Sequence, residues 1–467
     1  MHSAGKRTHA SPAPPLAVMS DAVAPRTMSS RAAGPAGESG KSEQSGAGQA
    51  HPASAGVVVI GGGVIGCSIA WYLTELGWSD VVLLERRSLG CGTTWHSQGL
   101  VGLVRPDPAM TRLALRTNEA LPELEARTGL STGFRRPGTL VCASSEARRR
   151  ALDGLAKRQA ALGIGIHAID VDEVHERWPL LETSDLAGAF FMPDEGQTNP
   201  LDTVLAYAKA AKIGGATVLE DTAVTGVVIR DGRVAGVEYG VGESARVIAC
   251  ERVVLAGGIW SREFAARSGI ALPVLPVEQS YFVTEPVPGI VPGLPILRDY
   301  HEDILVREDG GRLTVGATHE RERPWAVDGV PAGFCFDELP SDPETFEPML
   351  EKIVQRIPIL ADVGLRATLT GPECVSADAR YLLGEHPSIA GYFGATGMSG
   401  VGVGSSGGIG HAMAQWIVTG RRPDGLASLD VARFTAADAE LGTLLERVSA
   451  AAGSVFDIDA AALPTTA

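Results

Sequence analysis

The chain has 467 residues, of which 45% are hydrophobic and 20% are charged. A single hydrophobic core stops growing near about 250–300 residues, so this chain is expected to form two packed domains and is neither wholly disordered nor fibrous. The formal net charge of −15 disfavours binding to nucleic acid or to an anionic membrane.

Cysteine and histidine usage also excludes some classes of protein. The six cysteines are scattered and none is in a C-x-x-C pair, so neither a zinc site nor a disulfide framework is expected. The ten histidines include no H-x-H or H-E-x-x-H pattern, and no metal site is predicted. This cysteine usage fits a reducing compartment, and we expect a cytoplasmic protein.

The first 54 residues differ in composition from the rest of the chain. They are rich in Ala, Ser, Gly and Pro, show no apolar periodicity and predict a disordered extension. The following segment, 55–74, carries no charge and is long enough to span a membrane. Its glycines at 61, 62, 63 and 66 instead indicate a buried strand, a turn and a helix, so no membrane span is expected.

Further elements follow in chain order from the apolar patterns. The predicted strands are 57–60, 81–84, 188–192, 217–219 and 253–256, with a hairpin of 224–229 and 234–239 turning at Asp231-Gly232. An amphipathic helix with Ile69, Ala70, Leu73 and Leu76 on one face follows the first strand and ends at Gly77, and further helices are predicted at 119–127, 145–162 and 201–213. Alternation of short apolar strands with helices is typical of an α/β fold with a parallel sheet.

The section 276–364 has a different character. The segment 281–284 and the hairpin of 304–306 and 313–315, which turns at Gly310-Gly311, predict antiparallel strands, and 343–356 predicts a helix. A glycine-rich loop over 397–410 should lead into a helix at 411–418 that ends at Gly420. After residue 434 we expect a short helix and a tail.

A glycine fingerprint joins the first strand to the first helix. Gly61-x-Gly63-x-x-Gly66 follows the strand directly, and Glu85 closes the next strand 19 residues after Gly66. The first glycine would form the turn, the second would let the backbone approach a pyrophosphate, and the third would pack helix on strand. Glu85 would accept hydrogen bonds from a ribose. The pattern predicts binding of an ADP moiety, which NAD and FAD share.

Six further motifs follow Glu85 along the chain. They are Gly92-Thr93-Thr94-Trp95-His96-Ser97-Gln98-Gly99-Leu100, Ala256-Gly257-Gly258-Ile259-Trp260, Pro276-Val277-Glu278-Gln279-Ser280-Tyr281, Leu297-Arg298-Asp299, Gly371-Pro372-Glu373 and Asp378-Ala379-Arg380-Tyr381-Leu382-Leu383-Gly384-Glu385. These motifs resemble those of the dimethylglycine and sarcosine dehydrogenases, which belong to the glycine oxidase/D-amino-acid oxidase superfamily of FAD enzymes. Together they cover about residues 56–434.

The resemblance implies how FAD is held. The residue matching His96 carries FAD covalently on its 8α-methyl group in that family, and the loop from Gly397 resembles the isoalloxazine-binding turn. Val224 and Trp260 match positions along the adenosine and ribityl parts. The full set of expected cofactor-binding residues is Gly61, Gly63, Val64, Ile65, Gly66, Glu85, Arg86, Gly92, Thr93, Thr94, Trp95, His96, Gly99, Leu100, Val224, Trp260, Gly397, Met398, Ser399, Gly400, Val401 and Gly402.

The resemblance also implies catalytic residues. Tyr281 matches a substrate-pocket tyrosine whose phenol would orient or help to deprotonate the amine. Gln279 stands where the family often has a histidine, which leaves the proton acceptor open. Arg105 is the first candidate for binding a substrate carboxylate, because guanidinium binds carboxylate in a bidentate manner. The weaker candidates are Arg298, Arg307 and Arg380.

The expected fold is therefore α/β, with a Rossmann-like (GR2-type) FAD domain and an α+β substrate domain on an antiparallel sheet. The FAD domain would comprise 55–105, 200–275 and 365–434, the substrate domain 106–199 and 276–364, and 435–467 a C-terminal helix and tail. The expected reaction is oxidation of a small N-methylated amino acid, of the sarcosine or dimethylglycine type, by hydride transfer to flavin N5. The imine formed would then hydrolyse.

Several alternatives stay open. The chain could oxidise another amino acid, could be the flavin subunit of a hetero-oligomer, or could be an NAD-dependent dehydrogenase. The electron acceptor could be oxygen or an electron-transfer protein. The related dehydrogenases continue into a folate-binding half, so a separate folate-binding partner is a further expectation.

Overall fold

Two mixed sheets, of six and eight strands, organise the chain. They are seen in a computed structural model of the protein, which describes residues 51–299, 303–317 and 322–454. The strands are β1 (Val57–Ile60), β2 (Val81–Leu84), β3 (Leu100–Val101), β4 (Thr139–Ala143), β5 (His167–Ile169), β6 (Gly188–Met192), β7 (Gly196–Gln197), β8 (Thr217–Leu219), β9 (Val224–Arg230), β10 (Arg233–Tyr239), β11 (Arg246–Ala249), β12 (Arg252–Leu255), β13 (Val274–Thr284), β14 (Ile296–Asp299), β15 (Ile304–Asp309), β16 (Arg312–Ala317), β17 (Leu365–Ser376), β18 (Leu382–Glu385) and β19 (Tyr392–Thr396).

Helices cover both sheets. The α-helices are α1 (Val64–Glu75), α2 (Pro108–Thr128), α3 (Glu146–Ala160), α4 (Val171–Arg177), α5 (Pro200–Ile213), α6 (Ser261–Ala266), α7 (Pro343–Arg356), α8 (Ser406–Thr419) and α9 (Leu441–Ser454). In the part of the chain that the structure describes, no helix is both long and apolar enough to cross a membrane. The uncharged segment 55–74 forms β1 and most of α1, as its glycines predict.

The six-stranded sheet has the order β18-β19-β12-β1-β2-β8. β1 pairs in parallel with β12 on one side and with β2 on the other, so the strand order reverses at β1. Val57 and Val59 pack into a core with α1, α5 and α8, whereas Val58 and Ile60 pack into a second core with β10. Burial on both faces explains why β1 is a continuous apolar run.

The eight-stranded sheet has the order β17-β13-β16-β15-β14-β4-β6-β5 and is antiparallel except for β4 beside β14. β13 and β17 pair along their whole length. α7 covers the sheet through Phe346, Met349 and Ile353, and α9 packs on β13 and β17 through Leu444 and Val448. The expected α/β fold class with a second, largely antiparallel sheet is confirmed.

The structure differs from the predicted elements at several places. β17 was not predicted, and residues 365–376 pair with β13 in the eight-stranded sheet although the expected division grouped them with the FAD segments. Helix 119–127 is the second half of the longer α2. The disorder predicted for residues 1–50, and the tail after residue 454, lie outside the described residues. Ser54 already forms a bridge to Ala249 of β11, so the described chain joins the three-stranded sheet β11-β10-β9 before residue 55.

The glycine-rich segment 397–410 is a loop only in its first part. α8 already begins at Ser406. Gly407, Gly408 and Gly410 therefore lie in the helix, where they allow close packing against neighbouring helices. A Cβ at Gly408 would lie 2.1 Å from the backbone oxygen of Leu113 in α2. These glycines bring the start of α8 against α1 and α2, which fixes the direction of the preceding loop.

We expect Gly408→Ala to lower the free energy of unfolding by about 1–3 kcal/mol, because α8 and α2 must separate to admit the methyl group. Gly442→Ala in α9 is the control, since no atom lies within 4 Å of its added Cβ, and should leave stability equal or slightly higher. Urea unfolding followed by circular dichroism measures both. Equal midpoints for the two variants would contradict the packing role.

Candidate functional site

A large cleft of about 700 Å³ opens at the carboxyl ends of β1, β2 and β12. Its walls include Ile60, Leu84 and Leu255, the last residues of these three strands. The cleft therefore lies where the strand order reverses, which is where open α/β sheets bind their ligands.

The glycine turn after β1 has a separate requirement at each position. Gly61 has a φ of 110°, and a Cβ there would lie 2.4 Å from the oxygen of Ala256. A Cβ at Gly66 would lie 1.9 Å from the oxygen of Gly61, so only glycine lets α1 approach the turn. At Gly63 the nearest atom to a Cβ would be Thr94 Oγ1 at 3.4 Å. Protein packing thus leaves room at Gly63, and the space lies on the cleft wall, as a pyrophosphate would need.

Glu85 lies beside this turn with 7% of its surface exposed. Its carboxylate accepts hydrogen bonds from the backbone N–H groups of Gly62 at 2.7 Å and Arg87 at 2.9 Å. Burial raises the pKa of the carboxyl, which these two hydrogen bonds oppose. A carboxylate held in this position can accept from a ribose hydroxyl in the cleft.

Arg86 closes one side of the cleft. Its guanidinium lies 4.4 Å from the ring centre of Trp260 and donates to the carbonyl oxygens of Ala332 and Phe334, both at 2.9 Å. The indole N–H of Trp260 is buried and has no hydrogen-bond partner among the described residues. An orphaned donor on a cleft wall fits a polar ligand.

A small cavity of about 120 Å³ lies between the large cleft and the eight-stranded sheet. Strands β13, β14, β15 and β16 form its floor, and the loops 96–105 and 400–404 form its other walls. The two cavities meet, because the same four residues line both: Ser97, Glu373, Gly400 and Val403.

His96 lies in the turn Thr93–His96 at the wall of the small cavity. It is 7% exposed, and its Nε2 has no hydrogen-bond partner among the described residues. Burial lowers the pKa of the imidazole to about 4, so the ring is neutral at physiological pH. Gly371 makes room for it, since a Cβ there would lie 2.6 Å from ring atoms. A neutral imidazole with a free nitrogen next to the cleft is suited to bonding with an electrophilic carbon.

Arg105 also faces the small cavity and is only 4% exposed. Its Nη1 donates to the carbonyl oxygen of Val104 at 2.9 Å, and its buried Nε has no hydrogen-bond partner among the described residues. A buried guanidinium with an unused donor is suited to an anionic ligand. Of the weaker candidates, Arg298 lines the same cavity, while Arg380 pairs with Asp107 at 3.4 Å outside it.

Tyr281 and Gln279 project from β13 into the small cavity. Burial raises the pKa of Tyr281 to about 12. The phenol therefore keeps its proton at neutral pH and can donate a hydrogen bond, and the suggested role in deprotonating an amine is not favoured. Arg307 holds the neighbouring loop through a hydrogen bond from Nη1 to the oxygen of Gln98.

The loop 397–404 is fixed by buried polar contacts. The N–H of Ser399 donates to the oxygen of Cys374 at 2.9 Å, and Ser399 Oγ accepts from the N–H of Ser376 at 3.3 Å. Ser399 is fully buried and lines neither cavity, so it supports the loop instead of contacting a ligand. Gly397, Met398 and Gly402 do line the large cleft.

The predicted cofactor residues fall into three groups. The large cleft is lined by Gly61, Gly63, Val64, Ile65, Glu85, Arg86, Gly92, Thr93, Thr94, Val224, Trp260, Gly397, Met398, Gly400 and Gly402. The small cavity is lined by His96, Gly99, Leu100, Gly400 and Val401. Gly66, Trp95 and Ser399 line neither. Gly66 packs inside the turn, and Trp95 instead stacks edge-on against His96, with ring centres 5.6 Å apart.

Sequence reasoning gave no role to two residues that the structure places at the site. Glu373 belongs to a quoted motif, but only the fold shows that it lines both cavities. Ser97 also lines both cavities. The available signal for Glu373 was its place in the motif Gly371-Pro372-Glu373. Among residues 51–299, 303–317 and 322–454, no group of three or more His, Cys, Asp or Glu side chains is placed to hold a metal ion.

The parallel sheet, the glycine turn and the acidic residue after β2 define a dinucleotide-binding oxidoreductase. The chain belongs to the DAO family of FAD-dependent oxidoreductases, whose family model matches residues 56–416. The orphaned donors, the room at Gly63 and the neutral His96 fit FAD in the joined cavities.

The chain is similar to two curated proteins over most of its own length. It is 34% identical to mitochondrial sarcosine dehydrogenase from Mus musculus over 83% of this chain and 42% of that protein. It is also 34% identical to 4-methylaminobutanoate oxidase (formaldehyde-forming) from Paenarthrobacter nicotinovorans, over 82% of this chain and 46% of that protein. The chain thus spans less than half the length of these relatives.

The solved structure of L-proline dehydrogenase from P. horikoshii matches with a TM-score of 0.73 and 25% identity. The match covers 82% of this chain and 98% of that one. The resemblance to the FAD part of the sarcosine and dimethylglycine dehydrogenases is confirmed.

We expect the stability of the cofactor-free protein to fall as the pH is lowered from 7 toward 4. The unfolded chain binds a proton at His96 near its ordinary pKa of 6.5, whereas the folded chain resists protonation down to about 4. This difference in pKa lowers the free energy of unfolding by up to about 3 kcal/mol between pH 7 and pH 4, and His96→Gln should abolish that part of the pH dependence. Chemical unfolding at each pH measures the effect. The control is His167→Gln, since His167 is exposed. Identical pH slopes for wild type and His96→Gln would contradict the burial argument.

Proposed function

We propose that this chain oxidises the C–N bond of a small N-methylated amino acid, of the sarcosine or dimethylglycine type, with FAD bonded covalently to His96. The single observation that carries the proposal is the buried, neutral His96 imidazole, whose Nε2 has no hydrogen-bond partner among the described residues and which lies at the wall of the small cavity. A flavin bonded there would extend its dinucleotide along the large cleft to the glycine turn. Its ring would lie beside the small cavity.

The chemistry supplied by FAD is the acceptance, at N5, of a hydride from the carbon bonded to the amine nitrogen. This chain's own residues bind and orient the substrate. Arg105 would hold the carboxylate through charge-assisted hydrogen bonds, and the protonated phenol of Tyr281 would donate to the substrate and orient it. The imine released into water would hydrolyse to formaldehyde and the demethylated amine.

The size of the small cavity supports a small substrate. Its volume of about 120 Å³ is bounded by strands of the eight-stranded sheet, which hold their side chains rigidly. The names of the two relatives supply independent support, since one is a sarcosine dehydrogenase and the other a formaldehyde-forming oxidase of a methylamino acid.

A second candidate is oxidation of a different amino acid by the same site. Gln279 favours it, because this residue lines the small cavity where the related dehydrogenases often have a histidine. Formaldehyde detection across a panel of N-methylated and unmethylated amino acids separates the two candidates. Equal amounts of formaldehyde and reduced acceptor support demethylation, and turnover without formaldehyde supports the second candidate.

We expect the purified protein to be yellow and its colour to stay with the pellet after acid precipitation, because the bond to His96 survives unfolding. His96→Ala should release all its flavin into the supernatant. His386→Ala, a substitution outside both cavities, should keep the flavin in the pellet. A wild-type supernatant containing all the flavin would contradict the covalent bond.

We expect Arg105→Gln to raise the KM for an N-methyl amino acid about 30–100-fold, which corresponds to losing about 2–3 kcal/mol of charged hydrogen bonding. N-methyl amines without a carboxylate should show no such change. Arg149→Gln is the control, since Arg149 pairs with Glu146 and Asp153 on α3. Steady-state kinetics on both substrate classes measures the effect. An equal loss on both classes would contradict carboxylate binding.

A further inference from the structure

The pairing of β13 with β17 places Glu373 on the substrate side of the sheet. Val277 pairs with Glu373, and Gln279 pairs with Gly371. Residues directly opposite each other in an antiparallel pair point to the same face, and so do alternate residues along each strand. Glu373 therefore shares a face with Gln279 and Tyr281 and is the diagonal neighbour of Gln279.

Glu373 lies at the point where the two cavities meet and lines both of them. It is 9% exposed, and its Oε1 accepts a hydrogen bond from the N–H of Cys374 at 3.1 Å. The N–H of Gly400 also donates to the carboxylate. Burial raises the pKa of Glu373 to about 7, against these two hydrogen bonds.

Arg105 and Arg298 line the same small cavity as Glu373, but no opposite charge is among the causes of the shift in its pKa. On β13, Glu278 points to the other face, where it pairs with Arg323 at 3.6 Å, and Tyr281 keeps its proton. The turn Thr93–His96 contributes the neutral His96.

Two further elements complete these surroundings. On β17 itself the thiol of Cys374 contacts Thr396, and burial keeps that thiol protonated by raising its pKa to about 12. The loop 397–402 has no titratable side chain. The carboxyl is therefore free to change protonation near neutral pH.

The proposed reaction needs a proton acceptor that the rest of the cavity does not supply. A secondary or tertiary amine, with a pKa of about 10, arrives protonated, and a hydride leaves the adjacent carbon only when the nitrogen lone pair is free. The amide of Gln279 cannot accept this proton at neutral pH. Of the two other carboxylates that line the small cavity, Asp299 pairs with Arg356 at 2.8 Å, and Asp303 is exposed on the turn before β15.

We propose that Glu373 is the catalytic proton acceptor of this site. Its carboxylate takes the N–H proton of the bound ammonium group, so that an N–H bond breaks and a carboxyl O–H bond forms. The freed nitrogen lone pair would then form a C=N bond as the adjacent C–H bond breaks, and the departing hydride would carry two electrons to the FAD of the proposed function. The carboxyl later returns its proton to water. This inference rests on the proposed function and adds the group that the sequence left unassigned.

The test compares Glu373→Gln with Glu278→Gln in the FAD-loaded enzyme. The wild-type enzyme can accept the proton only when Glu373 is ionised. The rate of flavin reduction should therefore rise with pH, with a midpoint near 7, and then level off. In Glu373→Gln this acid limb should disappear, and the rate near pH 8 should fall by about 10²–10⁴-fold. The rate of the variant should keep rising about tenfold per pH unit toward pH 10, because only neutral amine then reacts. Glu278→Gln should match wild type.

A second readout does not depend on turnover. Infrared spectra of the substrate-free holoenzyme should show a protonated-carboxyl C=O band that titrates near pH 7 and is absent in Glu373→Gln. If Glu373→Gln fails to fold, Glu373→Asp replaces it and should keep both an acid limb and a titrating band. A band that persists in Glu373→Gln, or an unchanged acid limb, overturns the proposal.

These outcomes separate the two proposals. If no amine reduces the wild-type flavin, the proposed function fails. If wild type is reduced normally and Glu373→Gln follows the same pH profile, only the role of Glu373 fails.

Discussion

The site depends on the direct contact of helix α1 with the turn that follows β1. The Cβ of any residue at 66 would collide with the oxygen of Gly61, so this contact exists only with glycine. It places the N-terminus of α1 at the carboxyl end of β1, where an anionic ligand is stabilised by the helix dipole and free N–H groups. α8 then packs on α1 through Gly410, close to Ser68. The loop before α8 thereby becomes the opposite wall of the same cleft.

Burial determines the pKa values of three side chains around the small cavity. His96, Tyr281 and Glu373 all have pKa values shifted toward the neutral form, and removal from water is the largest cause for each. These three groups line the small cavity, and Glu373 lines the large cleft as well. Glu85, also in the large cleft, is held by backbone N–H groups. Under the proposed function, Glu85 would lie beside the ribose and the other three groups beside the flavin ring.

Much of the fold follows from local sequence. β1, β2 and β8 are apolar runs in a buried sheet, and α7 has both its predicted ends. β17 was missed because Gly371 and Pro372 interrupt its apolar pattern, and only its pairing with β13 over the whole strand stabilises it. The early start of α8 was missed for a related reason, since glycines that disfavour an isolated helix are required where two helices touch.

The site was predictable to the extent that its residues lie next to each other along the chain. The glycine turn and the segment around His96 are such local motifs, and most of their predicted residues do line the cavities. Ser399 and Trp95 belong to equally recognisable motifs but line neither cavity. Each contacts a partner distant in sequence, since Ser399 accepts from the N–H of Ser376 and the ring of Trp95 packs edge-on against Phe336. To predict that Glu373 lies at the site, one must know the register between β13 and β17, which are almost one hundred residues apart in sequence. The division into two domains at the expected boundaries stays a prediction.

The rim shared by the two cavities has a consequence for how this scaffold can diversify. Under the proposed function, a substitution at Ser97, Glu373, Gly400 or Val403 would alter both retention of the cofactor and selection of the substrate, so adaptive change there is constrained by two demands. Gln279 and Leu305 line the small cavity but not the large cleft. Substitutions at these two sheet positions would leave the large cleft intact, so new substrate specificities would arise there with the least cost to the cofactor site.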